Sequence, residues 1–148
     1  MILGVYGYSN SGKTTLIERL ITELTQKGYK VSTIKHSTKK ISLDTPGKDT
    51  YRHRDAGANI SCLISASETT MISKSPFSLN TAIKMIEVVG GIDLILIEGG
   101  KSENIPKIAV GDIELLDQTI YRYSGNLGNI LEYIENTIKT EKITHKTQ

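Results

Sequence analysis

The chain has 148 residues, of which 38% are hydrophobic and 23% charged, with 18 Lys plus Arg against 16 Asp plus Glu. That suits one domain with a real core and shows no compositional sign of disorder. A net charge of +2 offers no basic field for nucleic acid, no apolar segment approaches the ~20 residues of a membrane span, and nothing resembles a signal peptide, so a soluble cytoplasmic protein is expected.

Residues 1–6 form an apolar run halted by Gly7 and predict a buried strand. Between residues 13 and 27, Leu16, Ile17, Leu20, Ile21 and Leu24 make the stripe of an amphipathic helix, with Gly28 as its stop. YKVSTIK, residues 29–35, carries β-branched residues and reads as a second strand. Residues 36–49 are polar, include Pro46 and Gly47, and read as a loop, followed by a short helix that ends near Gly57. Residues 59–65 and 69–73 predict an antiparallel hairpin turning near Ser67. The lone cysteine, Cys62, lies in its run NISCLI and reads as a small buried hydrophobe in a reducing compartment.

Residues 78–89 predict a helix with Leu79, Ala82, Ile83 and Ile86 on one face, closed by Gly90 and Gly91. DLILIEGG is the most continuous apolar run, as a strand covered on both faces should be, and KIAVG is a further short strand. Ile130, Leu131, Ile134 and Ile138 mark a last amphipathic helix. Residues 1–138 are thus expected to form a single domain and residues 139–148 a flexible polar tail. The alternation implies an α/β fold with a mainly parallel sheet and an attached antiparallel hairpin.

The stretch GYSNSGKTT joins the first strand to the first helix and fits G-x-x-x-x-G-K-[ST] from Gly7 to Thr14. That context marks a phosphate-binding loop and a three-layer fold of P-loop NTPase type. Glycines let the backbone bring N–H groups close to a phosphate, and the helix start aims further N–H groups and its positive dipole end at the same anion. Gly7, Asn10, Ser11, Gly12, Lys13, Thr14 and Thr15 are the candidate phosphate residues. Lys13 supplies a charge for the β- and γ-phosphates, and the Thr14 hydroxyl a ligand for Mg²⁺.

Such a loop needs acidic help to manage metal and water. Glu98 closes the buried strand before Gly99, where a carboxylate should face the crevice at the strand carboxyl ends. Asp44 lies in the polar loop, where switch segments meet Mg²⁺ in other proteins, or else caps a turn. Both are candidates for catalysis and for metal binding. The surrounding Asp44-Thr45-Pro46-Gly47 imitates a GTPase D-x-x-G, a pattern that chance supplies about half the time at this length. No N-K-x-D or T-K-x-D is present, so base selectivity is not written in its usual form. Of the basic residues Lys35, His36, Lys48, Arg52 and Arg54 around the loop, and Lys101 and Lys107 after Glu98, one or two are expected to clamp phosphates and the rest to be surface charges, with Arg54 and Asp55 on a solvated helix face.

The segments GYSNSGKTTLIERLI, TIKH, DTPGKDTYRHRDAGA and DLILIEGGKSENIPKIAV resemble, in that order, the MobB family of molybdopterin-guanine dinucleotide biosynthesis adapters, over residues 1–111. The resemblance implies a homodimer that binds GTP and Mg²⁺ and hydrolyses GTP weakly at most. It would assist the molybdopterin guanylyltransferase that attaches GMP to molybdopterin, among other molybdopterin-handling proteins. It also implies phosphate and Mg²⁺ roles for Gly12, Lys13, Thr14 and Thr15, acidic roles for Asp44 and Glu98, and basic or switch-loop roles for Lys35, Lys48, Asp49, Arg52 and Lys101. Two departures stand out: HSTKK lacks the family's extra histidines, and Gly99-Gly100 replaces its glycine and aromatic before the lysine. A small P-loop kinase is the alternative, but Arg122 is the only arginine after Arg54 from which to build a lid.

Overall fold

The structure, a computed structural model, describes residues 1–146. Its elements are β1 (Ile2–Gly7), α1 (Lys13–Gln26), β2 (Val31–Lys35), α2 (Asp49–Asp55), β3 (Ile60–Ile64), β4 (Thr69–Ser73), α3 (Leu79–Val89), β5 (Leu94–Glu98), β6 (Lys107–Val110), β7 (Thr119–Tyr123) and α4 (Gly128–Lys146). Five strands form one sheet in the order β2-β5-β1-β6-β7, and β3 and β4 form a separate pair. Every pairing in the large sheet is parallel, while β3 and β4 run antiparallel with Cys62 opposite Met71. This is the expected mainly parallel α/β architecture with its attached hairpin.

The chain folds as two compact units, a division that composition does not mark: Met1–Ser37 with the chain from Ile83 onward, and Thr38–Ala82. In the first unit, alternation along the central strands sends Leu3, Val5, Leu94, Leu96, Ile108 and Val110 to one face of the sheet. There they meet Leu16, Ile17, Leu20 and Leu24 of α1 and Ile130, Ile134 and Ile138 of α4. Emptying such a site, as in Leu96→Ala, costs about 2–5 kcal/mol. A smaller cluster joins Tyr6 of β1 and Ala109 of β6 to Ile113, just beyond β6.

Strand β7 has no counterpart among the predicted elements. Its pattern TIYRY is only half buried, as suits an edge strand. The tail expected from residue 139 lies within α4 as far as Lys146, while residues 147 and 148 fall outside the described residues. The apolar stripe does end at Ile138. Beyond it, the helix is held by Lys142, whose ammonium lies 2.6 Å from the Asp93 carboxylate. The Thr140 and Thr144 hydroxyls also donate back to the carbonyls of Asn136 and Thr140.

In the second unit, α2 precedes the hairpin, whose turn is closed by Ser65: its hydroxyl oxygen accepts from the N–H groups of Ser67 and Glu68. Cys62 is exposed, not buried as its apolar neighbours suggest. It shares a strand face with Ile60 and Ile64, both also exposed. A two-stranded sheet lacks the second layer that would cover that face.

Candidate functional site

The 7–15 loop begins where β1 ends against β6. A Cβ on Gly7 would fall 2.4 Å from the Val110 carbonyl oxygen and 2.5 Å from the Ser11 hydroxyl, so only glycine fits. Asn10 and Gly12 take positive φ values of 60° and 92°, and Ser11 between them does not. Left-handed residues interleaved with ordinary ones build a concave nest of N–H groups. Gly12 is also the N-cap of α1, without a side-chain cap of its own. The helix's first N–H groups therefore remain available to an anion.

The side chains converge on the same hollow. The Thr14 hydroxyl donates to Glu98 Oε2 at 3.1 Å, and the Lys35 ammonium donates to Glu98 Oε1 at 3.2 Å. Glu98 is brought here by the parallel register that sets it beside Val5 of β1 and Lys35 of β2. The Lys13 ammonium bends back to the Tyr8 carbonyl oxygen, and among the described residues no carboxylate pairs with it. Ser9 to Thr15, Lys35 and Glu98 line a cavity of about 350 Å³. The Lys101 ammonium stands 5.4 Å from the centre of the ring of Tyr8, the residue before this lining.

Ser11 Oγ is the one buried side-chain polar atom without a partner among the described residues. Burying an unsatisfied hydroxyl costs about 1–3 kcal/mol, which a ligand or ordered water would recover. An orphaned hydroxyl in a glycine-built nest, a lysine free of carboxylates and a threonine beside a glutamate together fit a nucleotide phosphate with its magnesium ion. Among the described residues no group of three or more His, Cys, Asp or Glu gathers to hold a metal. That is compatible with Mg²⁺, which takes one or two carboxylates plus substrate phosphates.

The other predicted residues lie in the second unit. The Asp44 side chain, 3% exposed, is fully engaged there: Arg54 NH2 lies 2.5 Å from Oδ2, and the Thr50 hydroxyl and Thr45 N–H donate to Oδ1. Arg54 is therefore not on a solvated helix face; its side chain is 19% exposed and also stands 6.0 Å from the Tyr51 ring centre. Lys48 is the N-cap of α2, and Arg52 is exposed with a long 3.8 Å pairing to Asp49. Missing from the sequence reading is the pairing of Thr14 and Lys35 with one carboxylate, since residues 84 and 63 positions apart meet only through the strand order.

The sequence model of MobB, described as "Molybdopterin guanine dinucleotide synthesis protein B", matches residues 2–131. The chain belongs to this family. It is 40% identical over 109 residues to the molybdopterin-guanine dinucleotide biosynthesis adapter protein of Haemophilus influenzae, covering 72% of this chain and 61% of that protein. The Escherichia coli protein of the same name is 33% identical over 112 residues, covering 74% and 64%. The chain thus spans about three fifths of the length of the curated relatives it matches. The crystal structure of Bacillus subtilis MobB superposes with a TM-score of 0.67 at 28% identity, covering 81% of this chain and 76% of that one. A MobB homologue from Bacillus stearothermophilus, 20% identical, shares the fold at a TM-score of 0.62 over 94% of this chain and 98% of its own. Among the described residues no helix is long and apolar enough to cross a membrane.

Proposed function

We propose that this chain binds GTP with Mg²⁺ and acts as a cytoplasmic, homodimeric adapter assisting a molybdopterin guanylyltransferase in attaching GMP to molybdopterin. Membership of the family supports the pathway, and the relatives' names support the adapter role. The observation that carries the nucleotide part is the convergence of Lys13, Thr14 and Glu98 on one glycine-built loop.

Gly7, Asn10, Ser11, Gly12 and Thr15 would surround the phosphates with backbone N–H groups and hydroxyls. Lys13 would exchange the Tyr8 carbonyl for phosphate oxygens, and Thr14 with Glu98 would hold the metal. The ion, when bound, offsets charge on the β- and γ-phosphate oxygens. Lys48 and Arg52 are candidates to clamp phosphate, and Asp44 would have to release Arg54 before it could ligate a metal.

Weak intrinsic hydrolysis is expected because three of the four arginines are engaged elsewhere, leaving only the exposed Arg52 to face phosphate. Arg54 serves Asp44, and Arg122 donates to the carbonyls of Gly111 and Ile113. Arg19 donates to the Tyr123 hydroxyl. An Arg122 so braced also argues against the lid that a metabolite kinase would need. For the dimer, Ile60, Ile64 and Met71 lie exposed on one face of the hairpin, an apolar surface that a second copy would cover. Sedimentation checks this: the wild type should run as a dimer and Ile64→Lys as a monomer.

The deciding experiment is activity of a molybdoenzyme that uses the guanine dinucleotide cofactor, in cells lacking this protein. Restoration by the wild type but not by Lys13→Ala supports the reading. Equal activity with and without the protein, at limiting molybdate, overturns it.

A further inference from the structure

Residues 111–118 connect β6 to β7 without a helix. Because the two strands are parallel neighbours, this short segment must return from the carboxyl end of β6 to the amino end of β7. Buried side chains tie it down on the way. The Tyr6 hydroxyl accepts from the Leu116 N–H at 3.0 Å and lies 2.7 Å from the Thr119 hydroxyl, and Ile113 packs beside Tyr6 and Ala109. The buried Lys107 ammonium then donates to the Asp117 carbonyl at 3.4 Å, at the amino end of β6. Asp117 is thereby carried to the opposite end of the sheet from the phosphate loop, and Glu114 to the level of the Tyr6 hydroxyl.

Asp112 alone of these acids stays at the carboxyl end of β6. Gly111 before it lies against the phosphate loop, since a Cβ there would stand 3.4 Å from the Ser11 Cβ. Arg122 donates at 2.7 Å to the carbonyls of both Gly111 and Ile113, fixing the backbone on either side of Asp112. The Asp112 carboxylate is fully exposed, with a long 3.8 Å approach to that same guanidinium. The Asp112 backbone is thus held beside the loop while both carboxylate oxygens stay open to a ligand.

We infer that Asp112 reads the base and selects guanine, doing the work of the absent N-K-x-D. This rests on the proposal that the 7–15 loop takes nucleotide phosphates. Lys35 and Glu98 occupy the β5 and β2 side of the loop together with Thr14, the metal end of the site. The nucleoside then leaves on the other side, along the carboxyl ends of β6 and β7, as ligands of open α/β sheets do. Guanine offers two adjacent donors there, N1–H and the 2-amino group, which match the two oxygens of one carboxylate. Adenine offers an acceptor at N1, which the carboxylate repels, and a site built to pair a donor rejects the analogue lacking it.

Calorimetry with Mg²⁺ and four probes decides this: GTP, ATP, xanthosine triphosphate and inorganic tripolyphosphate, each on the wild type and on Asp112→Asn. The asparagine amide can donate to the C2 carbonyl of xanthine but no longer accepts two donors from guanine. We expect Asp112→Asn to bind GTP at least tenfold more weakly and xanthosine triphosphate at least tenfold more tightly, with tripolyphosphate unchanged. An unaltered preference for GTP over xanthosine triphosphate, with tripolyphosphate still bound, removes Asp112 as the reader and leaves the phosphate loop standing. Failure of the wild type to bind tripolyphosphate at all overturns the phosphate reading, and this inference with it.

Discussion

The Thr14 hydroxyl donates to Glu98 Oε2 across 3.1 Å, joining the first turn of α1 to the last residue of β5. Thr14 is one step past Lys13, so this bond places the acid within the same hollow as the loop lysine. Replacing Glu98 with glutamine keeps its shape and removes its charge. Mg²⁺ dependence and turnover should therefore fall at least tenfold while metal-free nucleotide affinity changes little. Titrating Mg²⁺ against nucleotide binding in both proteins measures it. Identical Mg²⁺ curves and turnover would make Glu98 a structural acid.

Lys13→Ala removes the fixed cation and leaves the backbone nest intact. Charge-assisted hydrogen bonds contribute about 1.5–3 kcal/mol, so GTP affinity should drop by about ten- to a hundredfold or more, with the circular dichroism spectrum unchanged. Calorimetry gives the answer directly. An unaltered affinity would sink the phosphate-loop assignment.

The pairing of Asp44 with Arg54 is the best-buried ion pair among the described residues, at 3% and 19% side-chain exposure. Arg54→Ala leaves a carboxylate enclosed without its cation, which should cost about 3 kcal/mol. The loss should show as faster amide exchange around Asp44 and in α2, with the amides of β1 and β5 unaffected. If exchange in α2 stays at the wild-type rate, the pair does not hold the segment.

Asp93 gives the fold an acid-sensitive tie. Burial raises its carboxyl pKa, but the hydrogen bonds from the Lys142 ammonium and the Lys30 N–H, together with both lysine charges, outweigh that effect. The result lies below the ordinary value of 3.8. A depressed carboxyl stabilises the fold fully above its unfolded value and loses that contribution as pH falls through the folded one. Stability should therefore decline from about pH 4 downward. Asp93→Asn should be less stable at pH 7 and show a shallower decline below pH 4, measured by urea midpoints from pH 2 to 6. Parallel curves for the two proteins would rule the tie out.

In a single-turnover assay the isolated chain should hydrolyse GTP far below the ~10 s⁻¹ median of enzymes. No glutamine follows DTPG, where Lys48, Asp49 and Thr50 stand instead. A rate of several per second without a partner would make it an enzyme in its own right.

Legibility in the sequence followed the range of the interactions. The phosphate loop and the order of strands and helices were readable because each rests on local chemistry: glycine geometry, periodic apolar residues, helix stops. Strand β7 was missed because TIYRY, with Arg122 among its five residues, shows neither a continuous apolar run nor a clean alternation; its support comes from Tyr6 and Lys107, which are distant in sequence. The role of Arg54 was hidden for a similar reason. Helix spacing describes the face a side chain leaves from, while its partner Asp44 lies in a loop with no periodicity at all. Cys62 looked buried because apolar neighbours usually mean a covered face, which a two-stranded sheet does not have.

The strand order also dictates when the site can come into being. β1 carries the glycine loop at its end, yet both of its neighbours, β5 and β6, are made after the whole Thr38–Ala82 unit. Ile2 must wait for Ile95, and Gly7 for Val110. A nascent chain therefore exposes its apolar first strand until β5 and β6 have been made, a long-range pairing that is slow to form and prone to aggregation. A chain halted before residue 98 would contain all of GYSNSGKTT but neither Glu98 nor a neighbour for β1, so nucleotide can act as a folding template only after β5 and β6 have been made.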